Sequence, residues 1–228
     1  MIIKKPHNQD LDSNKNVRKW KNLFPNVPCF LVGNGPSISK LPIKKIENYL
    51  TIGINAAFML FDPTILMWQD IECWYTHRIP ICNTSAVKFC TRASDPHNKF
   101  YHFKLESGGY KLPHSPTMLA GHGSTGPLAF QLAWLMGCNP IVLLGMDCKY
   151  QGGKTDFYGK NPFHKPHTLS ACVKGLNWIK SVDHGRTIYD CSENNIFAEK
   201  FSLEETIEKI SGGYNLSREE CIERIKKI

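Results

Sequence analysis

The stretch Cys29 to Pro42, CFLVGNGPSISKLP, constrains the fold more than any other part of this chain. Four apolar residues followed at once by Gly33-Asn34-Gly35-Pro36-Ser37 describe a short strand, buried on both faces, that leaves a sheet and opens into a tight loop. The two glycines admit positive φ and allow a ligand to approach the backbone closely. Open α/β sheets bind nucleotides at such strand ends.

The same design recurs along the chain. Thr51 to Asn55 reads as a second short strand, and Thr64 to Trp68 as a third that delivers Gln69, Asp70 and Glu72 at its carboxyl end. Ala86 to Cys90 and Phe100 to Phe103 read as further strands, Ile141 to Leu144 as a fully buried one running into Gly145-Met146-Asp147, and Thr187 to Tyr189 as the last. Between them, Ile43 to Leu50 and Thr168 to Lys180 have helical spacing, and Pro127 to Met136 is an apolar helix with Gly137 placed as its C-terminal cap. Glu106 to Pro116 reads as a loop, and 148 to 167, mixing lysine, glycine, proline, histidine and aromatic residues without period, as a lid. Ser202 with Glu205 and Ser217 with Glu220 open two C-terminal helices as capping boxes.

This pattern predicts an α/β fold: a doubly wound, mostly parallel, Rossmann-like sheet in a single domain with a lid loop. Residues 1–26 form an N-terminal lead with a short helix around Val17 and Trp20, residues 27–200 the nucleotide-binding domain with its lid at about 149–167, and residues 201–228 the C-terminal helices.

Composition narrows the function. The longest apolar run, Ala56 to Phe61, is far short of a transmembrane segment, and no signal-peptide core follows Met1, so a soluble, cytoplasmic protein is expected. Nine scattered cysteines without a C-x-x-C pair argue against a disulfide framework or zinc ribbon and for reduced thiols. A formal charge of +8 favours anionic ligands: a nucleotide, an acidic glycan or nucleic acid.

The Gly33–Ser37 loop is neither a dinucleotide-binding G-x-G-x-x-G nor a P-loop, because no Gly-Lys-Ser/Thr follows. It offers backbone N–H groups, the Asn34 amide and the Ser37 hydroxyl to phosphate, ribose or base edges. GHGSTG at 121–126 is its partner: Ser124, Thr125 and their amides stand at a helix N-terminus, where orphan N–H groups and the macrodipole favour an anion.

Gly-Asn-Gly-Pro-Ser near the N-terminus, an asparagine ending the next strand, a glycine/serine loop opening an apolar helix and a Gly-x-Asp strand end occur here in a recognisable order. In that order, over roughly Cys29 to Asn195 and most specifically over Ser124 to Asp147, the chain resembles the sialyltransferase-like superfamily. That grouping includes bacterial lipooligosaccharide sialyltransferases, motility accessory factor proteins and an archaeal hydroxymethyldihydropterin pyrophosphokinase. The resemblance implies a glycosyltransferase that takes a nucleotide-sugar donor, with the nucleotide bound by Asn34, Asn55, Ser124, Thr125 and Gly126; Gly33, Gly35 and Ser37 join them as nucleotide-binding candidates through the chemistry of their own loop. It also implies His167 as general base, with His164 as the competing candidate, and Tyr150 and Tyr158 near the leaving phosphate. An imidazole with a pKa near 6.5 suits the first task and a phenolic donor the second.

Two further readings stay open. Asp70 and Asp147, at strand ends, are hard oxygen ligands of the kind that hold Mg²⁺, which fits a magnesium-dependent pyrophosphokinase or nucleotide phosphotransferase. The basic, aromatic-bearing segments Trp74 to Arg92 and Lys149 to Lys165 fit a nucleic-acid-binding or DNA-modifying module, in which the acceptor is a hydroxylated DNA base.

Overall fold

The computed structural model describes residues 17–91, 93–95, 97, 99–121, 123–159, 161 and 166–228, and the side chains of residues 166 and 167 lie outside that description. In chain order the strands are β1 (Cys29–Val32), β2 (Leu50–Ile54), β3 (Ile65–Trp68), β4 (Val87–Cys90), β5 (Phe100–His102), β6 (Lys104–Glu106), β7 (Met118–Ala120), β8 (Ile141–Leu144) and β9 (Ile188–Asp190). The helices are α1 (Ile71–Asn83), α2 (Thr125–Leu135), α3 (Pro166–Ser181), α4 (Leu203–Ser211) and α5 (Arg218–Lys226), with 3₁₀ turns at Arg18–Trp20, Pro36–Lys40, Ile43–Ile46 and Asn55–Met59.

Seven strands form one sheet in the order β5-β4-β3-β2-β1-β8-β9, and every pair in it is parallel. The chain therefore winds outward from β1 to β5 and then returns to the other side of β1. That reversal makes the gap between the carboxyl ends of β1 and β8 the topological switch point, where an open α/β sheet forms its ligand crevice. Val32 pairs with Leu144 and with Gly53, which sets the ends of β8, β1 and β2 at one level.

The continuous apolar runs are explained by burial on both faces. Cys29 and Leu31 pack with α2, α5, Trp20 and Phe24 in one core. Phe30 and Val32, pointing the other way by the strand's two-residue period, pack with Ile38, Ile46 and the Leu203 and Ile210 of α4. Trp20 in the N-terminal segment is fully buried and packs at a tilt against Phe89 and Tyr101, with ring centroids 5.2 and 4.9 Å away.

Helix termini follow the residues that announce them. Gly137 has φ 86°, and the bonds from Gly137 N–H to Trp134 O and from Cys138 N–H to Ala133 O close a Schellman motif behind α2. Both capping boxes are formed, Ser202 with Glu205 and Ser217 with Glu220.

Four local expectations change. The helical spacing of Ile43 to Leu50 produces one 3₁₀ turn and then β2, which takes Leu50 as its first residue. Residues 71–83, assigned to no element by pattern, form α1; Pro80 and a non-helical His77 (φ −123°) kink it, and only Trp74 and Ile81 are buried, so its periodicity is faint. Glu106, placed in a loop, ends β6, which pairs in parallel with β7 in a separate two-stranded sheet. Of the lid, residues 148–159 are ordered into two tight bridges, Gln151 with Lys154 and Asp156 with Gly159. Among the described residues no helix is long and apolar enough to cross a membrane.

Candidate functional site

A cleft opens at the switch point. Its walls include Gly33, Asn34 and Gly35 after β1, Asn55 after β2, Ser124 to Pro127 at the start of α2, Gly145 to Cys148 after β8, Asp156, and Leu169, Cys172 and Leu176 of α3. The cavity volume is about 90 Å³, within about 570 Å³ of free space that includes open solvent at the mouth. That cavity volume is small beside the roughly 300–1,000 Å³ of typical ligand sites.

The two glycines of the first loop serve the chain's own packing. Neither Gly33 nor Gly35 lies in the positive-φ region, which corrects the expectation drawn from their sequence. Gly33 N–H donates to Leu144 O and Gly35 N–H to Gly145 O, each at 2.8 Å, so the loop continues the sheet's ladder past the strand ends. A Cβ on Gly33 would stand 2.6 Å from Gly145 O, and one on Gly35 would stand 2.5 Å from Asp147 Oδ2. Glycine is required because two backbones meet there.

Asp147 fastens that meeting. It is 2 % exposed; its Oδ2 accepts from Ser37 N–H at 2.8 Å, and its Oδ1 accepts from Ser37 Oγ–H at 2.5 Å and Glu193 N–H at 3.0 Å. The Ser37 hydroxyl is thus directed at Asp147, and Ser37 does not line the cleft. Asp70 is exposed at the N-cap of α1 and also lies outside the cleft. Asp147 lines the cleft and Asp70 does not, and among the described residues no group of three or more His, Cys, Asp or Glu could hold a metal. The residues present do not fit a magnesium centre.

The second loop is capped from across the sheet. In the amide orientation that satisfies its surroundings, the Gln69 side-chain oxygen accepts from Ser124 N–H and Thr125 N–H, each at 3.2 Å. Ser124 as N-cap makes no side-chain cap of its own. These two amides, expected to face an anion, are already engaged, and the anion-binding argument for them falls. The side chains remain in the cleft: Thr125 Oγ1 lies 3.5 Å from Asn55 Oδ1, and Ser124 Oγ lies 3.3 Å from Cys172 Sγ. Asn55 adopts φ 50°, a left-handed backbone that asparagine tolerates better than most residues.

Asn34 stands apart from these satisfied groups. Its backbone oxygen accepts from Phe157 N–H at 2.7 Å, which docks the lid onto the first loop. Its side-chain Oδ1 is buried and has no hydrogen-bond partner.

Tyr150 and Tyr158 do not line the cleft and are 55 % and 39 % exposed. Burial, followed by the Asp156 charge, raises the Tyr158 phenol above its ordinary range, so it stays protonated at neutral pH. The backbone of His167 is in the first turn of α3, which begins at Pro166, while its side chain and all of His164 lie outside the described residues. Sequence reasoning missed Cys148, Asp156 and Cys172. Asp156 is 3 % exposed and accepts from Thr155 Oγ1 at 2.7 Å; nothing but its place in a lid marked it. Cys172 is recognisable only once α3 is laid over the switch point.

No family model and no curated protein matches the chain. Two solved structures similar to it are both of the sialyltransferase CstII from Campylobacter jejuni. One, in complex with the substrate analogue cytidine-5'-monophosphate, is 15 % identical with a TM-score of 0.45, over 80 % of this chain and 84 % of that one. The other, in complex with CMP-3FNeuAc, is 12 % identical with a TM-score of 0.42, over 82 % of this chain and 100 % of that one. The fold and cleft described above rest on the chain's own strand order and hydrogen bonds.

Proposed function

We propose that this protein transfers a sugar from a nucleotide-activated donor to an acceptor hydroxyl, with the nucleotide seated between the Gly33–Gly35 and Ser124–Gly126 loops. One observation carries the reading: Asn34 Oδ1 is buried at the switch-point cleft without a partner. Leaving a buried acceptor unpaired costs about 1–3 kcal/mol, a cost removed when a ligand brings a donor. Ribose hydroxyls and the exocyclic amines of bases are such donors. Asn55, Ser124 and Thr125 supply further polar side chains around the same space.

In this reading the start of α3 provides the base. The turns of α3 that follow His167 line the cleft through Leu169 and Cys172, which supports a role for the helix start next to a bound donor. His167 takes the acceptor's proton, and the phenols of Tyr150 and Tyr158 donate hydrogen bonds to the departing phosphate. A glycan, a protein side chain or a hydroxylated base in DNA each present the required hydroxyl, and the +8 charge favours an anionic one. Nine free thiols suit a reducing, cytoplasmic setting. Phosphoryl transfer through Mg²⁺ receives no support from the geometry, because Asp147 is bound internally.

The test is release of nucleotide from CMP-, UDP- and GDP-sugars with candidate acceptors, each with and without Mg²⁺. One donor is expected to turn over, and His167→Ala is expected to lower kcat by about 10²–10⁴. Undiminished turnover by His167→Ala would remove the histidine from the mechanism, and the absence of turnover with every donor would count against glycosyl transfer itself.

A further inference from the structure

The lid contributes one charged side chain to the cleft, and the donor reading has so far given it no task. Asp156 lines the cleft together with Asn34 and Asn55 and is 3 % exposed. A tight turn holds its backbone: Asp156 N–H donates to Gly159 O and Gly159 N–H to Asp156 O, each at 3.0 Å. The next residue, Phe157, donates its N–H to Asn34 O at 2.7 Å, so Asp156 and Asn34 belong to one stretch of wall.

The carboxylate is oriented by a short relay. Asn161 N–H donates to Thr155 Oγ1 at 3.0 Å, and the buried Thr155 hydroxyl donates to Asp156 Oδ2 at 2.7 Å. Its charge is felt on the facing helix: the Cys172 thiol of α3, lowered by hydrogen bonding and raised by burial, is raised further by Asp156. The other carboxylate among the described lining residues, Asp147, is engaged by Ser37 and Glu193.

The surroundings decide what ligand group suits Asp156. Among the described residues that line the cleft there is no Lys, Arg or His. The N–H groups of Gly33 and Gly35 are bonded to Leu144 O and Gly145 O, and those of Ser124 and Thr125 to Gln69. A phosphate set against Asp156 would meet a like charge, whereas an O–H donor would gain a charge-assisted hydrogen bond. The partnerless Asn34 Oδ1 calls for a donor on the same wall. A ribose carries two adjacent hydroxyls, a carboxylate has two oxygens to accept from them, and an acidic side chain takes the ribose hydroxyl in other open α/β sheets.

We propose that Asp156 is the residue that selects ribose: it accepts hydrogen bonds from the 2′- and 3′-hydroxyls of the donor nucleotide, setting the sugar against the lid turn and the phosphate away from the carboxylate. The assignment rests on the cleft being the donor site, and it makes the substrate a ribonucleotide derivative and not a deoxyribonucleotide one.

The experiment titrates the full chain by calorimetry with CMP, UMP and GMP and with the 2′-deoxy and 3′-deoxy forms of each. Wild type should bind one ribonucleotide about 10–100-fold more tightly than its deoxy forms, the range expected for a hydrogen bond to a charged group. In Asp156→Asn, which keeps the shape and removes the charge, that ratio should fall at least threefold. Thr155→Val, which leaves the carboxylate and removes the hydroxyl that orients it, should lower the ratio as well. A melting curve without ligand establishes that each variant folds. A merely structural role weakens ribo and deoxy forms alike, so the ratio reads selection and the affinity does not. A wild type that binds deoxy forms as tightly as ribonucleotides, or an unchanged ratio in Asp156→Asn, overturns the assignment and leaves the donor reading standing. If no nucleotide binds, the donor reading falls and the ribose assignment falls with it.

Discussion

Replacing Asp147 by asparagine separates a structural carboxylate from a metal ligand. The side chain is 2 % exposed, and its two oxygens accept three hydrogen bonds, from Ser37 N–H, Ser37 Oγ–H and Glu193 N–H. An amide keeps one of those oxygens. If its nitrogen takes the Oδ2 position it faces Ser37 N–H, and if it takes the Oδ1 position it faces Glu193 N–H, so in either orientation one backbone donor loses its acceptor. A hydrogen bond to a charged group contributes about 1.5–3 kcal/mol, and the surviving bonds become neutral ones of roughly half the strength. Asp147→Asn should therefore cost about 2–4 kcal/mol, which in a domain of this size lowers Tm by roughly 4–16 °C. Ser37→Ala, which removes only the hydroxyl bond, should cost about 1–2 kcal/mol. Guanidinium and thermal unfolding, with and without Mg²⁺, measure both. An Asp147→Asn protein within about 0.5 kcal/mol of the wild type, with a Mg²⁺-dependent stabilisation that the variant loses, would refute the reasoning and restore the metal reading.

Gly35→Ala places a Cβ 2.5 Å from Asp147 Oδ2 and 2.7 Å from Gly145 O; it should destabilise by about 2–3 kcal/mol in denaturant. Gly212→Ala, with open space around its Cβ, should fall within about 0.5 kcal/mol of wild type. Burial lowers the folded-state pKa of His184 from 6.5, against the Asp183 charge that raises it, and the His184 Nδ1 accepts from Arg186 N–H at 3.0 Å. Because the unfolded chain takes up that proton first, this contribution to stability is complete above pH 6.5 and is lost as pH falls below it. His77, lowered by burial alone, acts in the same direction. Unfolding free energies at pH 7.5 and 5.5 should differ less in His184→Gln than in wild type, and an unchanged difference would exclude His184.

The sheet was legible because each of its strands is announced by a short apolar run, and a run buried on both faces needs no alternation to be recognised. The helix behind GHGSTG and the two capping boxes were legible because their signals are local, a glycine at one end and a serine-glutamate pair at the other. Helix α1 was not, because Pro80 and the His77 kink break the period in a helix with only two buried residues. Strand β6 carries a single apolar residue, Leu105, between two charged ones, and it pairs with β7 outside the main sheet.

The site divides along the same line. The loops that meet at the switch point were found because glycines cluster after strands, but what those residues do depends on partners far away in sequence. Ser37 was read as a ligand donor and Asp147 as a metal ligand, and 110 residues apart nothing marked them as each other's partner. Gln69 caps the Ser124 and Thr125 amides from a different strand end, which no local pattern around the helix start could show. Two glycines after a strand suggested room for a ligand, and the structure places the neighbouring strand's backbone there instead.

Thermal-shift titration of wild type and Asn34→Ala with CMP-, UDP- and GDP-sugars tests the central claim most directly. At a ligand concentration 100 times Kd, binding raises unfolding free energy by about 2.7 kcal/mol. One nucleotide sugar should produce a shift of that order in wild type. Asn34→Ala, which deletes a buried unpaired acceptor, should be at least as stable as wild type without ligand and should bind that nucleotide sugar about 2–13-fold more weakly, the equivalent of about 0.5–1.5 kcal/mol. A wild type stabilised by none of these donors, or an Asn34→Ala protein that binds its donor with unchanged affinity, would contradict the account.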